Sequence, residues 1–264
     1  MKKYEGYALI TGASSGIGAE FAKQLAAAGH DLVLVARDET RLEGVAAEIR
    51  KEYSVDVITI SHDLSKLEST DIIFNTLQKK KVHVGLLIND AGFSTFSSFH
   101  ETPRDKSMEM INLMCSSLMD LTYKFIPPML EKGSGGIVFI SSVVAAFPSP
   151  LIAVYSAAKA FSLHLAINLH AEYAKKGIDI LAVCPGLVDT HFLKNSGTPM
   201  PKANLLQPSY VVQKSLNALG KNIVLNLPHD TGTKIGLFLN RFITPKISEK
   251  ITSKIYKKMW GIEV

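Results

Sequence analysis

The sequence predicts a doubly wound α/β protein: one domain built on a parallel sheet with helices on both faces, and a basic amphipathic helical extension at its C-terminus. Three observations lead there. Short apolar runs of strand length alternate with helical patterns along most of the 264 residues, as in a chain of βαβ units. The first run opens into a glycine-rich loop and then a helix. Apolar residues make up 47% and charged residues 20% of the chain, ordinary globular usage with enough length to bury one core.

Strands are expected at 7–10, 31–36, 56–60, 84–89, 136–141, 178–184 and 221–225, and helices at 17–28, 39–53, 66–80, 104–131, 156–176 and 208–219. Tyr7–Ile10 (YALI) is an apolar run of the kind a buried parallel strand uses. It passes into Thr11-Gly12-Ala13-Ser14-Ser15-Gly16-Ile17-Gly18. AEFAKQLAAAGH follows, with helical spacing at Phe21, Leu25 and Ala28 and a stop at Gly29. Strand, glycine loop, helix is the setting of a dinucleotide fingerprint. Gly12 permits the turn, Gly16 lets backbone approach the phosphates, and Gly18 allows close helix–strand packing. The helix start then offers N–H groups and partial positive charge to a pyrophosphate. The spacing is G-x-x-x-G-x-G, and a plain surface turn is the alternative.

The second strand, DLVLVA, ends at Ala36 and is followed by Arg37. An acidic residue there bonds a ribose 2′-hydroxyl, whereas a guanidinium offers a planar fork to a 2′-phosphate. Arg37 therefore favours NADP (NADPH). Asp38 remains able to bond a hydroxyl, and capping the strand end in solvent is the bland role for Arg37. Downstream, Tyr155 and Lys159 are four residues apart in YSAAK, so a helix sets both on one face. A phenol ionises near pH 10 in water, about three units too high for use near neutrality. An adjacent ammonium stabilises phenolate and makes the group useful as an acid or base.

The loop spacing and YSAAK together resemble the short-chain dehydrogenase/reductase family, and further motifs follow in that family's order over roughly residues 5–225. LLINDAG holds Asn89, Ala91 and Gly92, with Asp90 where the family commonly has a second asparagine. Asn112 in MINLM matches a helix asparagine that holds a proton-relay water. Ser142 ends GGIVFISS where the catalytic serine sits. CPGLVDT supplies Pro185, Gly186, Val188 and Thr190 beside the nicotinamide. Asp63-Leu64 resembles the pair at the adenine edge, and Asp63 suits a helix N-cap equally well. The resemblance implies a Rossmann-like fold and NADP(H) held by Gly12, Ser14, Ser15, Gly16, Ile17, Gly18, Arg37, Asp63, Leu64, Asn89, Ala91, Gly92, Tyr155, Lys159, Pro185, Gly186, Val188 and Thr190. It also implies hydride exchange with a carbonyl or secondary alcohol, catalysed by Asn112, Ser142, Tyr155 and Lys159. Helices 104–131 and 156–176 become expected faces of a homodimer or homotetramer. A nucleotide-binding redox sensor or membrane-surface protein with little turnover is the alternative.

Substrate information is thinner. Segments 93–99, 143–151 and 187–208 bring Phe93, Phe96, Phe99, Phe147, Phe192, Leu193 and Met200 with few charges. They would line a pocket for a lipophilic carbonyl or alcohol, steroid-like or acyl, or pack the loops onto the sheet.

Other classes recede. No apolar run reaches the ~18 residues of a membrane span, and MKKYEGYALI leads into the first strand without a signal-peptide pattern. Cys115 and Cys184 are isolated, which suits a reducing cytoplasm. His164 and His170 lack metal spacing. Neither metal nor nucleic acid is an expected partner. A domain over 1–240 is expected, with 241–264 as the extension. Six basic and two acidic residues there carry +4 of the net +5. Ile243, Ile247, Ile251, Ile255 and Met259 recur every fourth residue among lysines. Such a helix packs on its own domain or a neighbour, borders the substrate cleft, or makes a peripheral membrane contact.

Overall fold

Every residue of the second, fourth and fifth strands is buried, which requires helices on both faces of the sheet. The computed structural model describes residues 4–199, 204–240 and 242–260, the last three by backbone alone. Met200, Arg241 and Glu263, and the side chains of Lys258 and Met259, lie outside the described residues. The strands are β1 (Tyr7–Thr11), β2 (Leu32–Ala36), β3 (Val57–Ser61), β4 (Val84–Asn89), β5 (Gly135–Ile140), β6 (Ile178–Pro185) and β7 (Val224–Leu227). The helices are α1 (Gly16–Ala27), α2 (Glu39–Glu52), α3 (Ser69–Lys79), α4 (Arg104–Ile111), α5 (Ser117–Glu131), α6 (Ala153–Tyr173), α7 (His191–Asn195), α8 (Pro208–Ala218), α9 (Thr231–Leu239) and α10 (Pro245–Trp260).

All strand pairs are parallel, in the order β3-β2-β1-β4-β5-β6-β7. The chain winds outward one way from β1 and the other way from β4. The crevice between their carboxyl ends is the topological switch point where such sheets bind ligands. Side-chain alternation splits the core accordingly. Ala8 and Ile10 pack with Phe21, Leu25, Leu42 and Val211 under α1, α2 and α8. Leu9 and Val35 pack with Ile73, Leu77, Leu121 and Phe125 under α3 and α5.

Three local differences from the sequence expectation have physical causes. The helix expected over 104–131 is broken into α4 and α5 by a π turn over Asn112–Ser116, where Ser117 N–H bonds Asn112 O instead of the carbonyl one residue later. β7 starts three residues later than the 221 boundary, because Lys221 and Asn222 N–H both return to Ala218 O and make a turn. Helices α7 and α9 were not anticipated. Thr190 and Asp230 cap them through Phe192 N–H and Thr233 N–H, while Gly232 and Gly236 obscure helical periodicity in α9.

Candidate active site

The carboxyl ends of β1 and β4 are stitched together by one side chain. Thr11 Oγ1 accepts the N–H groups of Asp90 and Ala91 at 3.0 and 3.1 Å and donates to Ile88 O. Gly12 follows at φ +72°, and a Cβ there would meet Ala91 backbone at 3.0 Å. A Cβ on Gly18 would lie 2.4 Å from Gly12 O, so the loop closes on the start of α1 only with glycine at both positions. No side chain caps α1 at Ser15. A helix N-terminus facing a glycine-lined crevice fits the pyrophosphate of a nicotinamide dinucleotide.

Next along the sheet, Ser142 lies two residues past the end of β5 and caps the short 3₁₀ turn Val143–Ala146, accepting Val144 N–H at 3.4 Å. Tyr155 and Lys159 come from the first turns of α6. The Lys159 ammonium is buried and donates to Ile140 O at 2.7 Å. Its backbone carbonyl is held by Ser141 Oγ and Ser162 Oγ. Nζ lies 5.6 Å from the centre of the Tyr155 ring, which packs on Phe192 at 5.4 Å. Burial pushes the Tyr155 phenol well above the usual tyrosine range; its bond with Ser142 pulls down, and the Asp90 charge pushes up. Burial lowers the Lys159 pKa, against support from Asp90, Cys115 and Cys184.

These groups open onto one cleft of about 1480 Å³. Its walls include Gly12, Ser14, Ser15, Gly16, Ile17, Arg37, Asp63, Leu64, Ala91, Gly92, Ser142, Tyr155, Lys159, Pro185, Gly186, Val188 and Thr190. Three expected residues are absent from those walls among the described residues. Gly18 is buried behind the loop. Asn89 is buried, and its amide donates to Thr122 Oγ1 at 3.3 Å, tying β4 to α5. Asn112 opens the π turn. Phe93, Phe96, Phe147, Phe192 and Leu193 line the cleft, whereas Phe99 is exposed to solvent.

At the rim beyond β2, Asp38 is committed to capping α2, accepting Arg41 N–H at 3.0 Å. Arg37 reaches across to Glu109 at 3.2 Å, and Lys106 holds the other Glu109 oxygen at 2.7 Å. Arg37, Arg41 and Lys106 thus crowd one end of the cleft. Burial pushes Asp63 up, but bonds from Ser65 and the nearby Arg37 charge hold its carboxyl below the usual range. It caps the local turn through Ser65 N–H at 3.0 Å while lining the cleft. Among the described residues, no group of three His, Cys, Asp or Glu side chains is placed to hold a metal.

Residues 6–200 match the family described as short chain dehydrogenase. The chain belongs to that family. It is 32% identical over 269 residues to a very-long-chain 3-oxoacyl-CoA reductase of Anas platyrhynchos, spanning 92% of this chain and 84% of that one. A short-chain dehydrogenase from Sphingobium yanoikuyae in complex with NADPH matches with a TM-score of 0.78 at 31% identity, over 90% of this chain and 96% of that one. A bulky-bulky ketone specific alcohol dehydrogenase from Comamonas testosteroni matches with a TM-score of 0.76 at 29% identity, over 90% and 93%. This short-chain dehydrogenase is therefore an oxidoreductase of carbonyl or alcohol groups that uses a nicotinamide cofactor.

The sequence offered the C-terminal helix as a border of the cleft, but not α9, which shares its outer wall. Asp230, Ile235, Gly236 and Leu239 come from α9 and its cap. Ile243 and, from α10, Ile251, Ile255 and Tyr256 complete it. The apolar stripe from Ile243 to Ile255 was the available signal, but its partner helix was hidden by glycines. Asp90 was visible only as a departure from the family pattern.

Proposed function

We propose that this short-chain dehydrogenase reduces a bulky lipophilic ketone or 3-oxoacyl group with NADPH, with Tyr155 as the proton donor. The convergence of Ser142, Tyr155 and Lys159 on a cleft whose outer wall sets Ile235, Leu239, Ile243, Ile251 and Ile255 among polar side chains carries this reading. The bound cofactor would supply the hydride equivalent. Ser142 and Tyr155 then hold the substrate oxygen between two hydroxyls, where negative charge develops during reduction. Tyr155 gives its proton to that oxygen, and the Lys159 charge stabilises the phenolate left behind. Asn112, at the π turn beside α6, is the proposed anchor of the proton path to solvent. Phe147, Ile235, Leu239, Ile251 and Ile255 exclude water and grip an apolar ring or chain. The acyl thioester class is favoured by the named activity of the Anas platyrhynchos relative, and the bulky ketone class by that of the Comamonas testosteroni enzyme.

Arg37 is the proposed 2′-phosphate ligand, swinging from Glu109, with Arg41 and Lys106 adding charge. One oxygen of Asp38 is taken by its helix cap, and NADPH in the Sphingobium yanoikuyae structure favours the same cofactor.

Two surface features support assembly roles. Met119 and Tyr123 on α5 and Phe161 and Ile167 on α6 are exposed, which favours burial in a homodimer or homotetramer. On the C-terminal helices, Phe238 (62% exposed), Phe242 (74%) and Ile247 face solvent beside exposed Lys234, Lys246, Lys250 and Lys254. Apolar side chains ringed by lysines suit peripheral contact with an anionic lipid surface, beside a cleft for a lipophilic substrate.

Tyr155→Phe should lower kcat by about 10²–10⁴-fold while NADPH affinity holds; near-normal turnover in a ketone and oxoacyl panel would overturn the assignment. Arg37→Asp should shift preference toward NADH, with NADPH affinity falling about ten- to a hundredfold from the loss of one charge-assisted contact. Wild-type preference for NADH, read from KM for both cofactors, would remove Arg37 from this role. Sedimentation addresses both surfaces. The protein alone should run as a dimer or tetramer, and it should pellet with anionic vesicles at low salt but not at high salt. A monomer contradicts the first surface, and no pelleting contradicts the second.

A further inference from the structure

Asp90 brings a carboxylate into the cofactor cleft, and the mechanism above does not use it. The carboxylate accepts the backbone N–H of Gly18. Its Oδ2 lies 2.9 Å from the point where a Cβ on Gly18 would sit and 3.2 Å from the same point on Gly12. Both glycines belong to the loop that would hold the pyrophosphate. Asp90 thus occupies the base of an anion site, at a helix end whose partial positive charge suits one anion.

The groups facing it are few. From α6 come the Lys159 ammonium, which attracts it, and the Tyr155 phenol. Thr11 on β1 is neutral and binds the backbone N–H of Asp90. The glycine loop and α1 present backbone at Gly12 and Gly18. Cys115 in the π turn and Cys184 on β6 face Lys159. The cation that attracts Asp90 also lies 5.6 Å from the centre of the Tyr155 ring, so carboxyl and phenol are both its neighbours before any cofactor arrives. Burial pushes the Asp90 carboxyl up to about 7, against pulls from Lys159 and the Gly18 N–H. A pyrophosphate adds two negative charges to the same loop, and like charges at close range disfavour ionisation of a carboxylate.

We propose that Asp90 takes up a proton from solvent when the dinucleotide binds, and that this releases the Lys159 charge to act on Tyr155. The inference rests on the cofactor reading above. Up to one proton passes from the buffer acid to the Asp90 carboxylate, and no bond between heavy atoms changes. In the empty site the Asp90 carboxylate neutralises Lys159, and its charge adds to the burial that keeps the phenol in its acid form. In the loaded site Asp90 is neutral, and the ammonium stabilises phenolate alone. The asparagine common at this position in the family has no proton to exchange, so the coupling is a property of this chain.

Isothermal titration with NADPH and with NADH tests it, in two buffers of different ionisation heat and above about pH 7, where a 2′-phosphate is already ionised. The wild type should take up a fraction of a proton near neutrality, approaching one as pH rises, with Kd rising toward tenfold per pH unit. Asp90→Asn should bind with no proton uptake and a flat Kd. Wild-type binding without uptake, or an Asn variant that keeps the wild-type slope, overturns the proposal while leaving the cofactor reading intact. If the Asn variant does not fold, the wild-type buffer comparison decides alone. Binding of NADH but not NADPH removes the cofactor preference and still tests Asp90. If neither nucleotide binds, both readings fall.

Discussion

An ammonium buried at the carboxyl end of a parallel sheet needs oxygen around it, and Ile140 supplies one 2.7 Å from Lys159 Nζ. A buried charge left without partners costs several kcal/mol. The surroundings of Lys159 therefore cannot vary freely. Its carbonyl is fixed by Ser141 and Ser162, which sets the start of α6 against the end of β5. That fixes Tyr155 one turn earlier and places it beside Ser142. The proposed proton donor, its hydroxyl partner and its tuning charge are thus positioned by the demands of a single cation.

The sheet decides what else that cation meets. The switch from β1 to β4 leaves a crevice, and Thr11 joins its two lips through Asp90 and Ala91 N–H. The cofactor loop and the charge centre become neighbours, so an anion bound by one is felt by the other. On the far side the cleft is closed by α9 and α10 instead of the sheet. Asn240 bonds Ala146 O, Ser248 bonds Asn240 Oδ1, and Tyr256 is buried against the core. The inner face of these helices sets Ile235, Leu239, Ile251 and Ile255 among polar side chains.

Much of this was legible in the sequence because the residues that carry it are local. Gly12, Gly16 and Gly18 lie in one loop, and Tyr155 and Lys159 lie one helical turn apart. Alternating apolar runs placed all seven strands, most of them to within a residue, with the largest shift at the start of β7, where a turn takes Lys221 and Asn222. What escaped was non-local. The tie of the Asn89 amide to Thr122, 33 residues away, cannot be read from LLINDAG. The π turn at Asn112 has no signature in a helical pattern, since one slipped hydrogen bond leaves periodicity almost unchanged. The cap of α9 on α10 joins a glycine-broken helix to an isoleucine stripe, and neither alone says where the other lies. Asp90 gains meaning only when Gly18 N–H and Lys159 are seen to converge on it.

The central claim is that one buried cation is shared between Asp90 and Tyr155, and that cofactor binding decides which of them it serves. The titration of the Tyr155 phenol itself tests this most directly, followed by NMR on protein with ring-labelled tyrosine and assigned by loss of the signal in a phenylalanine variant. In the cofactor-free protein, burial and the Asp90 charge should keep the phenol protonated beyond about pH 10, where free tyrosine ionises. With oxidised cofactor bound, the titration should move below that value. A phenol that titrates at the same pH with and without cofactor would contradict the account.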